Sequence, residues 1–494
     1  MSTTTPEQLE PAPRAGVVDT VPDGLFIAGH WREGRRPGRI AVENPATGEV
    51  LTTVADADET DGRDALDAAV AAQAAWARTP ARERAEVLRR AFDLLTARAD
   101  EFALLMTLEM GKPLAEARGE VTYGAEFLRW FSEEAPRISG RYAPNPVGGS
   151  RLLTTKAPVG PTLMITPWNF PLAMATRKVA PAVAAGCTMV VKPATATPLT
   201  MLRFAGLMAE AGLPDGVLNV ITTSTTGRVT APLLADPRLR KLTFTGSTEV
   251  GRKLIAASAE QVLRVSMELG GNAPFLVFDD ADLDRAVEGA LAAKMRNTGE
   301  ACTAANRFYV QRGVAAEFTE RFAERLGALV VGDGADPGTQ VGPLIDAAAR
   351  ADVAARVDEA VLAGGKVVTG GAPVGDRGYF YAPTLVTDLP ADARLLTEET
   401  FGPVAPVVVF DTEDEALGLA NSTEHGLIAY AFTQDLDRGL RVAEALETGM
   451  VGLNAGVVSN AAAPFGGVKA SGFGREGGAE GIEEYLETKY VGIG

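Results

Sequence analysis

The feature that most constrains the fold of this chain is an alternation of strand-like and helix-like segments that begins near residue 151. Short runs rich in Val, Ile, Leu and Thr, such as TLMITP, TMVVKP, GVLNVI, KLTFTG and RVSMELGG, alternate with segments of helical composition over 171–185, 198–211 and 247–259. Such an alternation predicts a parallel, doubly wound sheet with helices on both faces. Ligands of these sheets bind at the carboxyl ends of the strands.

A second alternating region runs from about 272 to 460, with the candidate strands APFLVF, NRFYVQ, GPVAPVVVF, IAYAFT and GMVGLN. A chain of 494 residues is also too long for a single core. We therefore predict an α/β fold of two tandem doubly wound domains, with the chemistry in the cleft between them.

The domain boundaries follow from changes in composition. Residues 58–137 have the apolar spacing of amphipathic helices and join the first domain, which we place at 21–137 and 158–270, while the second covers 271–470. Residues 138–157 and 471–494 are extended and rich in β-forming residues, so we predict a small β segment at a subunit contact. Residues 1–20 read as a disordered lead-in.

Charge and composition exclude several classes of partner. The net charge of −17 argues against nucleic acid, which requires a basic face. No uninterrupted apolar run approaches the roughly 20 residues of a membrane span, and the N-terminus lacks the pattern of a secretory signal. Two cysteines cannot form a disulfide framework. We expect a protein of the reducing cytoplasm that binds neither membrane nor nucleic acid.

One of the two cysteines, Cys302, lies among small residues in the string NTGEACTAANRF. The setting fits either a buried small hydrophobe or a nucleophile that leaves room for a substrate. Only two histidines occur in the chain, His30 and His425, and there is no HExxH or CxxC pattern. We therefore expect no metal site, and the helper of a reactive thiol would be a carboxylate.

Several strand ends carry polar groups that could serve such a thiol. Asn169 stands in PWNFP, where prolines on both sides restrict the backbone around a carboxamide donor. Glu268 precedes a Gly-Gly pair at the end of a strand and is either a desolvated base or an ordinary edge charge.

Two further strand ends could hold a dinucleotide. Gly246 and Ser247 lead from a strand into a helix, which suits either a pyrophosphate or a tight turn. Lys192 ends another strand and is either a ribose or phosphate ligand or a solvated charge.

Taken together and in order, the motifs resemble those of the aldehyde dehydrogenase superfamily. The strings are PWNFP, KPAxxTP, FTGSxxxG, ELGGxxP, GxxC, EETFGP (398–403), NSxxxGL and PFGGVKASGFGREGG (464–478), and the resemblance runs from about residue 25 to the last residue. It implies that the first domain is a Rossmann-type dinucleotide-binding domain and that the second is catalytic.

The resemblance also implies roles for individual residues. Cys302 would be the nucleophile, Glu268 the base that activates water, and Asn169 the oxyanion donor together with the Cys302 backbone N–H. The implied cofactor-binding residues are Ile165, Thr166, Pro167, Trp168, Lys192, Ala194, Thr195, Gly246, Ser247, Glu268, Leu269, Glu399 and Phe401.

Within the family the strings are most similar to the branch that oxidises succinate semialdehyde to succinate. That similarity implies a small anionic aldehyde as substrate, with Arg177, Arg296 and Ser459 as anchors for its distal carboxylate. Some members carry a second cysteine two residues after the nucleophile. This chain has Ala304 there, so no redox switch is expected.

Cofactor choice depends on Thr195. Relatives that prefer NAD often have Glu at this position, where it repels a 2′-phosphate. Thr195 removes that repulsion and leaves Lys192 free to pair with the phosphate, so we expect NADP to be preferred, with NAD as a second acceptor. The family also implies a homodimer or homotetramer.

Alternative functions stay open from the sequence alone. The substrate could be another ω-semialdehyde, such as glutarate semialdehyde, or a broad range of aliphatic aldehydes. Transfer of the acyl group to coenzyme A is disfavoured because Glu268 is retained. A catalytically silent protein on the same fold is disfavoured because Cys302, Asn169 and Glu268 are all present.

Overall fold

The computed structural model describes residues 14–494. The described residues start with a short helix, two hairpins and four longer helices, and continue into two strands of an antiparallel sheet. These elements are α1 (Arg14–Asp19), β1 (Leu25–Ile27), β2 (His30–Arg32), β3 (Arg39–Asn44), β4 (Glu49–Ala55), α2 (Glu59–Arg78), α3 (Ala81–Ala97), α4 (Ala99–Met110), α5 (Leu114–Glu134), β5 (Arg141–Pro144) and β6 (Arg151–Pro158).

The predicted strand–helix alternation follows directly. Its elements are β7 (Thr162–Ile165), α6 (Ala173–Ala185), β8 (Met189–Lys192), α7 (Leu199–Glu210), β9 (Leu218–Val220), α8 (Thr226–Leu234), β10 (Lys241–Thr245), α9 (Thr248–Ser258) and β11 (Arg264–Glu268). The five strands are parallel in the order β9-β8-β7-β10-β11, so the strand order reverses beside β7. Ligand-binding crevices of doubly wound sheets form at such a reversal.

The second alternation forms a separate sheet. Its elements are β12 (Ala273–Val277), α10 (Leu283–Met295), β13 (Ala305–Gln311), α11 (Arg312–Gly327), α12 (Ala347–Leu362), β14 (Lys366–Thr369), β15 (Thr384–Thr387), α13 (Arg394–Thr397), β16 (Val404–Phe410), α14 (Glu413–Asn421), β17 (His425–Gly426), β18 (Ile428–Phe432), α15 (Leu436–Ala445) and β19 (Met450–Leu453). Strands β15-β16-β13-β12-β18-β19 are parallel, and β14 pairs antiparallel at the edge. The prediction of two doubly wound α/β domains is confirmed.

The chain ends in β20 (Val468–Lys469), β21 (Gly472–Phe473), α16 (Glu480–Glu483) and β22 (Leu486–Ile493). Strand β22 pairs antiparallel with β6 along its whole length, and β5 completes a three-stranded sheet. The two segments that we predicted to be extended therefore meet in one sheet. Strand β21 pairs with β11 instead and extends the first large sheet.

Burial explains why the central strands read as continuous apolar runs. Strands β7, β8, β10 and β12 are buried at every position because helices cover both faces of each sheet. On the first sheet, one apolar cluster packs against α3, α5, α6 and α7, and a second packs against α2 and α8.

The start of the chain differs from the prediction. We expected a disordered lead-in over 1–20, but Arg14–Asp19 form a helix in which Val17 and Val18 are buried in the first-domain core. Those two apolar side chains stabilise a segment whose composition otherwise suggests disorder. The remainder of the predicted lead-in lies outside the described residues.

The turn between α6 and β8 gives a test of the backbone geometry. Gly186 ends α6 in the left-handed conformation, with φ of 92°. A side chain there costs about 1–2 kcal/mol, so Gly186→Ala should lower the free energy of unfolding by that amount in denaturant titration. Gly119 is an exposed helical glycine with open space around its Cα, so Gly119→Ala should raise stability by about 0.5–1 kcal/mol. Equal stability of the Gly186 variant and the unchanged protein would contradict this account.

Candidate active site

The site is assembled from segments of both large sheets. Asn169 follows β7, Glu268 ends β11, and Cys302 lies in the turn before β13. The charged groups that act electrostatically on the Cys302 thiol are Arg177, Glu399, Glu268 and Arg296. The structure therefore brings together the three predicted catalytic residues and two of the predicted substrate anchors.

The turn that carries Cys302 has an unusual backbone. Asn297, Thr298 and Gly299 are all left-handed, with φ of 56°, 58° and 79°. Two constraints favour glycine at position 299. Its φ is positive, and a Cβ there would lie 2.2 Å from the Gly402 carbonyl oxygen. Two side chains hold the turn: the Asn297 N–H donates to Glu116 at 2.5 Å, and Asn297 Nδ2 donates to the Glu300 carbonyl at 3.0 Å.

Asn169 is held from the same turn. Its Nδ2 donates to the Glu300 carbonyl at 2.9 Å, and its own carbonyl accepts hydrogen bonds from Asn297 Nδ2 at 3.1 Å and from Lys112 Nζ at 2.8 Å. A carboxamide has two N–H donors, so one remains available after the bond to Glu300. The buried side chain is thus fixed with a spare donor, as an oxyanion site requires.

Glu268 is a buried carboxyl group at the end of β11, and within residues 14–494 its Oε2 has no hydrogen-bond partner. Burial raises the pKa of Glu268 well above the usual range, and the negative charge of Glu476 raises it further, while Arg177 and Lys178 oppose the shift. The environment therefore favours the protonated form of Glu268 more than solvent does, and a bound group or a higher pH favours ionisation.

The glycines after Glu268 allow close approach. A Cβ on Gly270 would lie 2.6 Å from Glu399 Oε2, and one on Gly271 would lie 2.6 Å from the Cys302 carbonyl oxygen. The Gly-Gly pair thus lets the strand end pass directly against the nucleophile turn and Glu399.

The two cysteines occupy different environments. Burial raises the pKa of Cys302 to about 12, and Arg177 and Arg296 oppose the shift. Its side chain nonetheless retains partial exposure, whereas Cys187 is fully buried beside the Tyr485 carbonyl. Burial raises the pKa of Cys187 to about 11. Cys302 is the thiol that a substrate can reach.

The carboxyl ends of the first sheet form the expected crevice. Lys192 ends β8, and burial lowers the pKa of its ammonium to about 8. Its Nζ lies 3.5 Å from Thr195 Oγ1, and no carboxylate of the described residues pairs with it. A buried ammonium without an anion is a fitting partner for a ribose or a phosphate.

The predicted pyrophosphate-binding residues lie at a helix N-terminus. Ser247 caps α9 by accepting a hydrogen bond from the Val250 N–H at 3.4 Å, and Gly246 continues the strand by donating to the Glu268 carbonyl at 3.0 Å. The unpaired N–H groups of a first helical turn suit a phosphate. On this evidence the chain's own residues fit a dinucleotide.

The remaining predicted cofactor residues lie between this crevice and the thiol. Glu399 Oε1 accepts the Gly271 N–H at 2.9 Å, and burial raises the pKa of Glu399 to about 7. The rings of Trp168 and Phe401 make an edge contact at 5.9 Å between centroids. The others lie on adjacent strand ends and turns: Ile165, Thr166, Pro167, Ala194 and Leu269.

The predicted substrate anchors separate into two kinds. Arg296 Nη1 donates to Ser459 Oγ at 2.8 Å, and among the described residues no carboxylate lies within 4 Å of this guanidinium. Arg177 is buried and forms an ion pair with Glu476, which also pairs with Lys178. The charge of Arg177 is thus largely balanced by a direct ion pair, whereas Arg296 has no ion pair among the described residues and only a longer electrostatic interaction with the buried Glu116.

Several residues of the site were not identified from the sequence. Glu476 lies in the GFGREGG string, where no local feature marks it as a buried partner of Arg177 and Lys178. Lys112 pairs with Glu120 behind Asn169, and both are fully buried. Their eight-residue separation places them near each other only because the chain turns into α5 between them.

Neither a membrane span nor a metal cluster is found in the described chain. Within residues 14–494, no helix is long and apolar enough to cross a membrane. The same residues contain no group of three or more His, Cys, Asp or Glu side chains arranged to hold a metal ion.

Comparisons with known proteins agree with the geometry. A succinate-semialdehyde dehydrogenase of Paenarthrobacter nicotinovorans is 65% identical over 444 residues, which cover 90% of this chain and 99% of that protein. A glutarate-semialdehyde dehydrogenase of Pseudomonas aeruginosa is 51% identical, with 95% of this chain and 97% of that protein covered. The crystal structure of an Escherichia coli NADP-dependent enzyme superposes with a TM-score of 0.95 at 50% identity, covering 96% of this chain and 99% of that one.

The profile of the aldehyde dehydrogenase family matches residues 31–491. The predicted resemblance is confirmed, and the chain belongs to the aldehyde dehydrogenase family.

Proposed function

We propose that this protein oxidises succinate semialdehyde to succinate and prefers NADP as the hydride acceptor. The observation that carries the proposal is Arg296, whose guanidinium is held by Ser459 beside the nucleophile turn without a carboxylate partner among the described residues. Such a group favours a substrate with a carboxylate distal to the aldehyde. The 65% identity to a succinate-semialdehyde dehydrogenase supports the same substrate.

The first chemical step is attack by Cys302 Sγ on the aldehyde carbon. The thiol transfers its proton to water to form the thiolate, and the positive charges of Arg177 and Arg296 favour that ionisation. The carbonyl oxygen becomes an oxyanion, which the free N–H of the Asn169 carboxamide and the Cys302 backbone N–H would stabilise.

When NADP is bound, it supplies the acceptor for the hydride that leaves the thiohemiacetal carbon. Loss of the hydride converts the thiohemiacetal on Cys302 into a thioester. Asn169 still faces its carbonyl oxygen and polarises the carbon for the next attack. Trp168 and Phe401 cover this region with aromatic surface, which helps to exclude bulk water.

Glu268 acts in the second half of the reaction. As a carboxylate it accepts a proton from water while the water oxygen attacks the thioester carbon, and the thiolate leaves as the carboxylic acid forms. Glu476, Lys178 and Arg177 do not touch the reacting atoms. Burial is the main cause of the raised pKa of Glu268, and these three charges adjust it further.

The preference for NADP rests on Lys192 and Thr195. Lys192 is a buried cation without an anionic partner among the described residues, and Thr195 beside it carries no charge. A 2′-phosphate would supply the missing anion. A neutral ribose hydroxyl would satisfy the hydrogen bond without the charge, so NAD remains a second acceptor.

Glutarate semialdehyde is the alternative substrate. A glutarate-semialdehyde dehydrogenase is 51% identical to this chain, and one additional methylene keeps the same two functional groups. Broad oxidation of neutral aliphatic aldehydes fits less well, since it gives no role to an unpaired Arg296. Acyl transfer to coenzyme A would not need Glu268 as a base for water.

We also propose a homodimer or homotetramer in the cytoplasm. One face of the sheet of β5, β6 and β22 exposes Tyr142, Val491 and Ile493, and such an apolar sheet surface favours pairing with a second copy. A reducing compartment keeps both free thiols available, as a thiol mechanism requires.

The substrate proposal is tested by steady-state kinetics with succinate semialdehyde, glutarate semialdehyde and butanal, each with NADP and with NAD. A charge-assisted hydrogen bond contributes about 1.5–3 kcal/mol, so kcat/KM should be about 10- to 100-fold higher for succinate semialdehyde than for butanal. The kcat/KM for NADP should likewise exceed that for NAD, because only NADP offers Lys192 a charged 2′-phosphate. Equal values for the carboxylated and the neutral aldehyde would refute the proposed substrate class.

A matched variant separates the cofactor claim from the substrate claim. Thr195→Glu places a carboxylate where a 2′-phosphate would bind, so it should reverse the cofactor preference towards NAD. The ratio of kcat/KM for succinate semialdehyde to kcat/KM for butanal should stay the same, because the variant does not alter Arg296. A variant that still prefers NADP would show that Thr195 does not control the choice.

The ionisation of Glu268 predicts a pH dependence. Because burial and Glu476 raise the pKa of Glu268, kcat should fall as the pH decreases through that raised value, well above the range of an ordinary carboxyl group. Glu268→Gln should abolish this acid limb and lower kcat by about 10²- to 10⁴-fold. Glu476→Gln removes a negative charge and leaves two cations unbalanced, so it should move the limb to lower pH. If the fall of kcat at low pH occurs at the same pH in the Glu476 variant as in the unchanged protein, this electrostatic account is contradicted.

A further inference from the structure

We infer that Tyr123 is a further specificity-determining residue, whose phenolic hydroxyl donates a hydrogen bond to the distal carboxylate of the substrate. The inference rests on the proposed function and adds a donor to the anchors Arg177, Arg296 and Ser459. It follows from where α5 places the ring, from the groups around the hydroxyl and from the charge balance of the pocket.

Helix α5 brings Tyr123 to the substrate side of the nucleophile. Gly124 allows α5 to lie close to the start of α6, because a Cβ there would be 3.2 Å from Leu172 Cγ and 3.3 Å from Thr176 Oγ1. The Tyr123 ring packs against the apolar cluster that contains Phe170, Ala301 and Ala304. The two alanines flank Cys302, so the ring adjoins the space in front of the thiol.

Arg296 lies against the same ring. Its guanidinium carbon is 5.8 Å from the centroid of Tyr123 and 5.0 Å from that of Phe170, and its Nη1 is held by Ser459. The aromatic contacts and the hydrogen bond restrict where the guanidinium can lie. Tyr123 therefore borders the anchor that carries the substrate proposal.

The hydroxyl of Tyr123 is a buried donor without an acceptor. The Arg177 guanidinium lies next to this oxygen and can only donate to it, so among the described residues no acceptor is found for the Tyr123 O–H proton. Burial raises the pKa of Tyr123, so the phenol stays protonated near neutral pH and can donate. A buried donor left unpaired is costly, and a carboxylate oxygen would satisfy it.

Packing alone does not account for a tyrosine here. Phe127 stands one helical turn further along α5, makes an edge contact with Tyr123 at 4.9 Å between centroids, and is fully buried. A phenylalanine at 123 would offer the same ring without an unpaired oxygen. Arg177 can donate to that oxygen but cannot accept its proton, so the hydroxyl indicates an acceptor that neither the apolar cluster nor Arg177 provides.

The charge balance of the pocket favours an uncharged donor. Glu476 neutralises much of the positive charge of Arg177, and Arg296 is the anchor cation without an ion pair among the described residues. A carboxylate has two oxygens and about four acceptor positions, more than one guanidinium fills. The hydroxyls of Ser459 and Tyr123 supply the additional donors without adding charge.

The test is the selectivity of Tyr123→Phe, measured as kcat/KM for succinate semialdehyde divided by kcat/KM for butanal, with NADP saturating. Loss of a hydrogen bond to a charged group should lower this ratio by about 10- to 100-fold. The value for butanal, which has no carboxylate, should stay within about twofold of the unchanged protein. Inhibition by succinate, which needs no turnover, should weaken in parallel.

Tyr379→Phe is the matched control, because it also removes a phenolic hydroxyl, one that bonds to Glu43 away from the site. This control variant should leave kcat/KM unchanged for both succinate semialdehyde and butanal. In Tyr123→Phe, an equal fall for both aldehydes would mean a structural role and overturn the inference. An unchanged ratio would overturn it as well, while leaving the proposed function intact. If the unchanged protein itself does not favour succinate semialdehyde over butanal, both the proposed function and this inference are wrong.

Discussion

The site depends on a reciprocal hydrogen-bond lock between the segment after β7 and the turn before β13. Asn169 Nδ2 donates to the Glu300 carbonyl, and Asn297 Nδ2 donates back to the Asn169 carbonyl. One partner belongs to the first large sheet and the other to the second, so the lock fixes the two domains at the point where their chemistry meets. It also explains the left-handed turn, since an extended chain at 297–299 could not return the Asn297 side chain to Asn169.

Around these hydrogen bonds, burial and nearby charges have opposing effects on the pKa values of Cys302 and Glu268. Burial by itself keeps the Cys302 thiol and the Glu268 carboxyl protonated, and both must lose their protons for the proposed reaction. Arg177, Arg296 and Lys178 favour the ionised forms, while Glu476 limits how far they do so. The neutral forms of both groups avoid an unpaired buried charge, which would be strongly destabilising.

The sequence predicts the sheets and the order of the chemical groups well, for identifiable reasons. The strands of both sheets are short apolar runs bounded by glycine and proline, and the helices between them have a clear period. Cys302, Glu268 and Asn169 could be singled out because each stands in a distinctive string at a strand end or turn.

The long-range pairings could not be predicted in the same way. The ion pair between Glu476 and Arg177 joins residues far apart in the chain, and no local sequence pattern predicts it. Arg177 looked like a free anchor for this reason. Likewise, Tyr123 reads as one more apolar position of an amphipathic helix until Gly124 is seen to place α5 against α6. The sequence did not predict the helix at 14–19, because its buried residues Val17 and Val18 stand in a stretch whose composition otherwise suggests disorder.

The central claim is that Cys302 carries the acyl group during turnover. The most direct measurement is intact-mass and peptide-mapping analysis of Glu268→Gln after incubation with succinate semialdehyde and NADP, since this variant should form the thioester and hydrolyse it slowly. The account predicts one succinyl group per chain, on the peptide that contains Cys302, and none in the double variant with Cys302→Ala. Formation of NADPH without any adduct on Cys302, or an adduct on Cys187 instead, would contradict it.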